Sequence, residues 1–158
     1  MPALTVYAGP TALRRLQREG LRADSFSTLV GASGGPKWFV LYGLDRYLFG
    51  EFFAGRQSPL VALGSSAGAW RLSCLGLADP VGGIERLATH YSGQRYSDSP
   101  SVAEISEEAA KLVDIVLGEQ GAQEIASGIA LSAIGGKRSI SADVLYSSRG
   151  CVALNMSA

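Results

Sequence analysis

The sequence predicts an α/β domain: a mainly parallel sheet in a three-layer arrangement, with helices on both faces. Three observations carry that expectation. Two uncharged runs, Phe26–Val30 and Pro59–Leu63, each end in a Gly-rich turn that leads into a helix-compatible segment. Strand and helix signals alternate through the first half of the chain, the pattern of parallel strands joined by helical crossovers. At 158 residues, 47% hydrophobic and 18% charged, the chain can bury a core and is neither disordered nor a polyelectrolyte.

Taken in order, Leu4–Tyr7 reads as a short strand broken by Gly9-Pro10. Pro10 suits the first turn of a helix that runs to about Glu19 and closes at Gly20. Arg14, Arg15 and Arg18 lie opposite Leu13 and Leu16 on that helix, so peripheral membrane contact is one expectation and a solvated basic face the other. Phe26–Val30 is uncharged on either side, as in a parallel strand covered on both faces. A helix from Pro36 to about Phe49 follows, apolar nearly all round and so expected to be deeply packed. Pro59–Leu63 is the third strand, and its turn feeds a helix to about Leu77.

After Asp79-Pro80 the pattern becomes helical. Ile84–Tyr91 is one helix. A longer one opens at Ser101, where Ser101-x-x-Glu104 reads as a capping box. Glu107 and Lys111 pair at i,i+4 on its outside, and Gly118 and Gly121 punctuate it. Residues 1–126 are thus expected to form one α/β core. Residues 127–158, rich in serine and glycine, are expected to add strands at Arg138–Tyr146 and Cys151–Met156 to the same domain.

Lys+Arg and Asp+Glu are 14 each, which gives no reason to expect nucleic-acid binding. Two cysteines, Cys74 and Cys151, cannot form a disulfide framework, and no Cys/His cluster has metal-ligand spacing. The N-terminal stretch has no basic region before an apolar run and no 18-residue apolar run could span a bilayer, so no signal peptide and a cytoplasmic setting are the expectations.

The chemistry concentrates in two G-x-S-x-G turns. In Gly64-Ser65-Ser66-Ala67-Gly68 the glycines permit a strained strand-to-helix turn that lifts the Ser66 hydroxyl clear of the sheet, near the first amides of the next helix. Ser66 is therefore the candidate nucleophile. In Gly31-Ala32-Ser33-Gly34-Gly35 the amides of Gly34 and Gly35 are unencumbered, Pro36 cannot donate, and Lys37 adds positive charge. Parallel strands ending at one edge would set the turns side by side, so that Ser33–Lys37 forms an oxyanion loop for Ser66.

On these residues the chain resembles the patatin-like phospholipases. That family has a loop written G-G-G-x-[KR]-G, and some thirty residues later a G-x-S-x-G elbow. Ser33-Gly34-Gly35-Pro36-Lys37-Trp38 matches the loop, with Ser33 and Trp38 standing where the family has glycine, and Gly64–Gly68 matches the elbow. The resemblance implies a serine lipid acyl hydrolase that needs no cofactor and cleaves carboxylic esters with a Ser-Asp dyad. The family's aspartate lies in an Asp-Gly motif, and no Asp-Gly occurs here; Asp143 precedes Val144. The chain alone is therefore expected to be inactive or nearly so, as an N-terminal portion of such a hydrolase or a variant without its base, and able to associate with itself through an unpaired sheet edge.

Two rivals stand beside that reading. His90, the only histidine, sits in a helical stretch and does not follow a late strand, as the last member of a Ser-His-Asp triad would in the α/β-hydrolase order, which disfavours that triad. Val30–Gly35 also suggests the phosphate loop of an NAD(P)-binding domain, but Lys37 occupies a glycine position and Pro59–Leu63 ends in no acid. A non-catalytic patatin-like domain is the remaining alternative.

Overall fold

A computed structural model describes residues 5–56, 58, 60–127, 141–146 and 152–157. The elements are α1 (Pro10–Glu19), β1 (Thr28–Gly31), α2 (Tyr42–Tyr47), β2 (Val61–Gly64), α3 (Ala67–Cys74), α4 (Pro80–Gly93), α5 (Val102–Ser127), β3 (Ser141–Tyr146) and β4 (Val152–Ser157). The chain is α/β, on a four-stranded sheet of order β1-β2-β4-β3.

Only β1 and β2 are parallel, paired from Thr28↔Val61 to Gly31↔Gly64. β4 runs antiparallel to β2, with Ala62↔Leu154 and Leu63↔Ala153. β3 runs antiparallel to β4, from Ser141↔Ser157 to Tyr146↔Val152. The expected mainly parallel sheet is thus a mixed one. The reason is connection length: residues 147–151 are too few for a crossover, so β3 and β4 must run antiparallel. Of the two strands expected in the C-terminal segment, Arg138–Ile140 and Cys151 lie outside the described residues.

Helices cover one face. α3 lies against β1, β2 and β4, and α4 packs between α2, α3 and α5. The core there comprises Ala62, Leu72, Cys74, Leu77, Ile84, Leu87, Leu112 and Val116, together with Trp38, Phe49 and Phe53. The other face is open at the parallel pair: the cross-strand neighbours Val30 and Leu63 are 78% and 41% exposed. A second helical layer is not present among the described residues, and β1 is not covered on both faces as its sequence suggested.

Local chemistry explains most element ends. Thr5–Tyr7 has no regular structure, and Leu4 lies outside the described residues, so the first expected strand does not form there. α1 begins at Pro10, and Gly20, at φ 74°, returns its N–H to the Leu16 carbonyl. The expected Pro36–Phe49 helix is divided. Gly35–Leu41 is a 3-10 segment, α2 is regular, and Leu48–Phe52 widens into a π turn in which the Phe53 N–H reaches the Leu48 carbonyl at 2.9 Å. Its burial is one-sided: Trp38, Asp45 and Phe49 are buried, while Val40 is 86% exposed.

Asp79 caps α4 by accepting from the Gly82 N–H at 2.9 Å. Half of the capping box forms: Ser101 Oγ accepts from the Glu104 N–H at 3.1 Å, but the Glu104 carboxylate turns to the N–H and hydroxyl of Ser97, both at 2.8 Å. Those bonds hold the Glu104 carboxyl below its ordinary pKa. Lys111 reaches Glu107 at 3.0 Å, as its spacing suggested, and also Glu108 at 2.8 Å. Gly118, at φ 68°, interrupts α5 with a left-handed residue.

Candidate functional site

The site is made where β1 and β2 end together. Because the pair is parallel and in register through Gly31↔Gly64, both strands deliver their following turns to one edge. The Ser65 N–H continues the ladder by donating to the Gly31 carbonyl at 3.0 Å. The chain then reverses sharply into α3.

Ser66 is at φ 51°, ψ −126°, and among the described residues no other non-glycine residue has a positive φ. A side chain in that region costs about 1–3 kcal/mol and persists only where the surroundings dictate it. Here the dictating contact is close packing. A Cβ on Gly64 would overlap the Ala69 backbone, and one on Gly68 would overlap the Gly31 carbonyl. From the other side, a Cβ on Gly31 would meet the Gly68 carbonyl oxygen at 2.7 Å. Glycine at these positions lets α3 start directly against β1, leaving Ser66 the only geometry that joins β2 to it.

Ser66 precedes α3 in the capping position, yet its side chain makes no capping hydrogen bond. Its backbone carbonyl does the work, accepting from Ala69 at 2.8 Å and from Trp70 at 3.2 Å. The residue is exposed, so the hydroxyl is available to solvent and to a substrate. Gly68 donates to the Ser65 carbonyl at 3.0 Å, whereas the Ala67 N–H has no backbone acceptor among the described residues. It is an amide at a helix start, next to the serine.

The second turn has a different character. Ser33 is exposed in unstrained backbone, and Gly35, at φ 50°, bends the chain into the 3-10 segment. The Gly34 carbonyl accepts from the Lys37 N–H at 3.2 Å. The N–H groups of Gly34 and Gly35 have no backbone acceptor among the described residues. Lys37 is exposed beside them. The predicted residues are therefore brought together as two turns at one sheet edge: Gly64, Ser65, Ser66, Ala67 and Gly68 on one, Ser33, Gly34, Gly35 and Lys37 on the other.

Behind the turns lies a pair that sequence reasoning missed. Asp45 of α2 and Arg71 of α3 form a two-pronged ion pair, with both N–H···O contacts at 2.6 Å and Asp45 only 1% exposed. The available signal was a lone acid in the otherwise apolar segment KWFVLYGLDRYLF. An acid so placed needs a buried cation. Nearby, burial pushes the Cys74 thiol up to about 12, which makes it an inert core residue.

The described carboxylates have other placements. Asp45 is held by Arg71, Asp79 caps α4, Glu85 pairs with Arg46, Glu104 holds Ser97, and Glu124 accepts from the Ala78 N–H. Asp24 accepts from Ser58, and Asp98 and Asp114 are exposed on loop and helix. Asp143 pairs with Asn155 on β3, which aligns it with Val61 rather than Gly64. It thus stands two strand spacings from β2, about 10 Å, and a similar distance back from the edge that carries Ser66. His90 is exposed on α4 beside a groove lined by Gln94, Arg95, Glu108 and Lys111.

Among the described residues no group of three metal-binding side chains occurs, and no helix is long and apolar enough to cross a membrane. No family model matches the chain, no curated protein matches it, and no solved structure matches it.

Proposed function

We propose that this chain carries the nucleophile and oxyanion loop of a serine acyl hydrolase of the patatin-like kind, acting on carboxylic esters of lipids. The observation that carries the reading is Ser66: a serine forced to φ 51° on a strand-to-helix turn, exposed, with its hydroxyl not spent on the helix behind it. Strain at a polar residue that the fold does not need for capping points to chemistry. In the reaction Ser66 Oγ attacks the ester carbonyl and gives up its proton to a base. The carbonyl oxygen becomes an oxyanion held by the N–H groups of Ala67, Gly34 and Gly35, with Lys37 adding positive potential. The intermediate collapses, the alcohol leaves with that proton, and water then releases the acyl group from Ser66.

In this reading none of the carboxylates serves as that base, and these 158 residues alone hold a positioned but unactivated hydroxyl. In this reading the complete fold is the three-layer, mainly parallel one of the family, with a further layer over Val30 and Leu63. The substrate is a lipid or simple ester, the setting cytoplasmic, and no cofactor is required. The dinucleotide alternative is disfavoured because the loop after β1 opens a short 3-10 segment rather than a regular helix that could face a pyrophosphate.

The test is labelling, by a fluorophosphonate probe, of a longer form of the protein that supplies the base. Wild type and Ser33→Ala should label, Ser66→Ala should not. Labelling that survives Ser66→Ala removes the assignment. Absence of labelling in wild type leaves a non-catalytic domain.

A further inference from the structure

Helix α1 buries none of its ten residues. A helix that short is below the about 12–15 residues at which an isolated helix becomes even marginal in water, so something must cover its apolar side. Helical spacing puts Ala12, Leu13 and Leu16 on one side and Arg14, Arg15 and Arg18 on the other. Gln17 and Glu19 lie between the two sides. The segments on either end continue the theme: Val6, Tyr7 and Leu21 are 49%, 92% and 46% exposed, and Leu13 is 44% exposed. A groove of about 770 Å³, lined by Tyr7, Leu16 and Phe26 among others, separates α1 from the rest of the fold.

Charge identifies the missing cover. Residues 10–22 hold four arginines (14, 15, 18 and 22) against one acid, Glu19, a local charge of +3 in a chain whose net charge is zero. Arg15 and Arg18 both turn to Glu19, at 2.9 and 2.5 Å, and those bonds hold its carboxyl below its ordinary pKa. Among the described residues, Arg14 reaches only the Thr11 hydroxyl, at 3.3 Å. A protein partner would leave these guanidinium groups to be matched one by one. A bed of phosphates accepts them on the polar side of a helix whose leucines sink below.

We infer that α1, with Val6–Tyr7 and Leu21, docks this chain on an anionic phospholipid surface. The inference does not depend on the hydrolase reading. α1 enters the sheet at the start of β1, whereas Ser66 lies beyond the far ends of β1 and β2, so the helix is an anchor and no part of the reacting site.

The experiment is flotation of the purified chain with vesicles of equimolar phosphatidylglycerol and phosphatidylcholine, beside vesicles of phosphatidylcholine alone. Wild type should float with the anionic vesicles, less at high salt, and not with the zwitterionic ones. Arg14→Glu/Arg18→Glu should weaken that binding about tenfold or more. Tyr7→Asp/Leu13→Asp should remove it while leaving the thermal melt unchanged, since both side chains are exposed. Ser66→Ala should bind like wild type, which separates this result from the fate of the hydrolase reading. No flotation of wild type overturns the inference, as does equal binding to both vesicle types or unchanged binding by both variants. So does a wild-type dimer that Tyr7→Asp/Leu13→Asp converts to monomer, because the apolar side would then belong to a second copy.

Discussion

Two turns of this molecule share the pattern G-x-S-x-G, follow neighbouring parallel strands and end at one sheet edge, yet only one of them is strained. Gly31–Gly35 leaves β1 with Ser33 in ordinary backbone and opens into a loose 3-10 segment. Gly64–Gly68 leaves β2 with Ser66 at φ 51° and enters a helix packed hard against β1. The difference lies in what each turn touches. Space is open around Gly34 and Gly35, whereas Gly64 and Gly68 each face backbone at less than van der Waals distance for a Cβ. One pattern therefore encodes two roles, a rigid mount and an open row of amides.

Substitutions can break that comparison. The largest effect should come from Gly68→Val, where the added carbons meet the Gly31 carbonyl and neither backbone can yield. We expect a loss of more than about 4 kcal/mol in urea unfolding, enough to unfold most domains. A tolerant Gly68 would mean that α3 does not seat against β1.

Next is Gly35→Val. Gly35 sits at φ 50°, where a β-branched residue is strained, so the loop should shift and its donors with it. Labelling of Ser66 should slow roughly 10²-fold, the usual effect of losing one oxyanion donor. An unchanged rate would place the oxyanion hole elsewhere.

Smaller and opposite in sign is Ser66→Gly. Relief of the positive φ should stabilise the fold by about 1 kcal/mol, while Ser33→Gly should slightly destabilise it because only the unfolded chain gains freedom. A stability gain together with lost labelling would be the signature of strain kept for function. Equal effects at both serines would erase the distinction between the turns. Smallest of all, Gly34→Ala should stay within about 0.5 kcal/mol, since Gly34 is extended at φ −166° with nothing near its Cβ position.

The sequence carried the turns better than the layers. Glycine spacing around Ser66 encodes a steric demand local to five residues, so the elbow is legible in the residues alone. The starts of α1 and α5 were legible for a similar reason: Pro10 and Ser101 act within one helical turn, whereas α4, expected from Ile84, already starts at Pro80 under the Asp79 cap. Sheet coverage was not. An uncharged strand such as Thr28–Gly31 looks the same whether one face or two are covered, and the antiparallel course of β4 follows from tertiary pairing with β2. The Pro36–Phe49 segment misled because an apolar composition does not record that Val40 and Tyr47 point outward while Asp45 turns inward.

The Asp45–Arg71 pair has a mechanical meaning for these turns. α2 is reached from one of them through seven 3-10 residues, and α3 begins at the other. A strut between the two helices makes both turns ends of a single stiff frame. Sliding one turn past the other would pull a buried carboxylate off its guanidinium. The gap between Ser66 and the loop amides is thus set like the opening of pliers, by a rivet well behind the jaws.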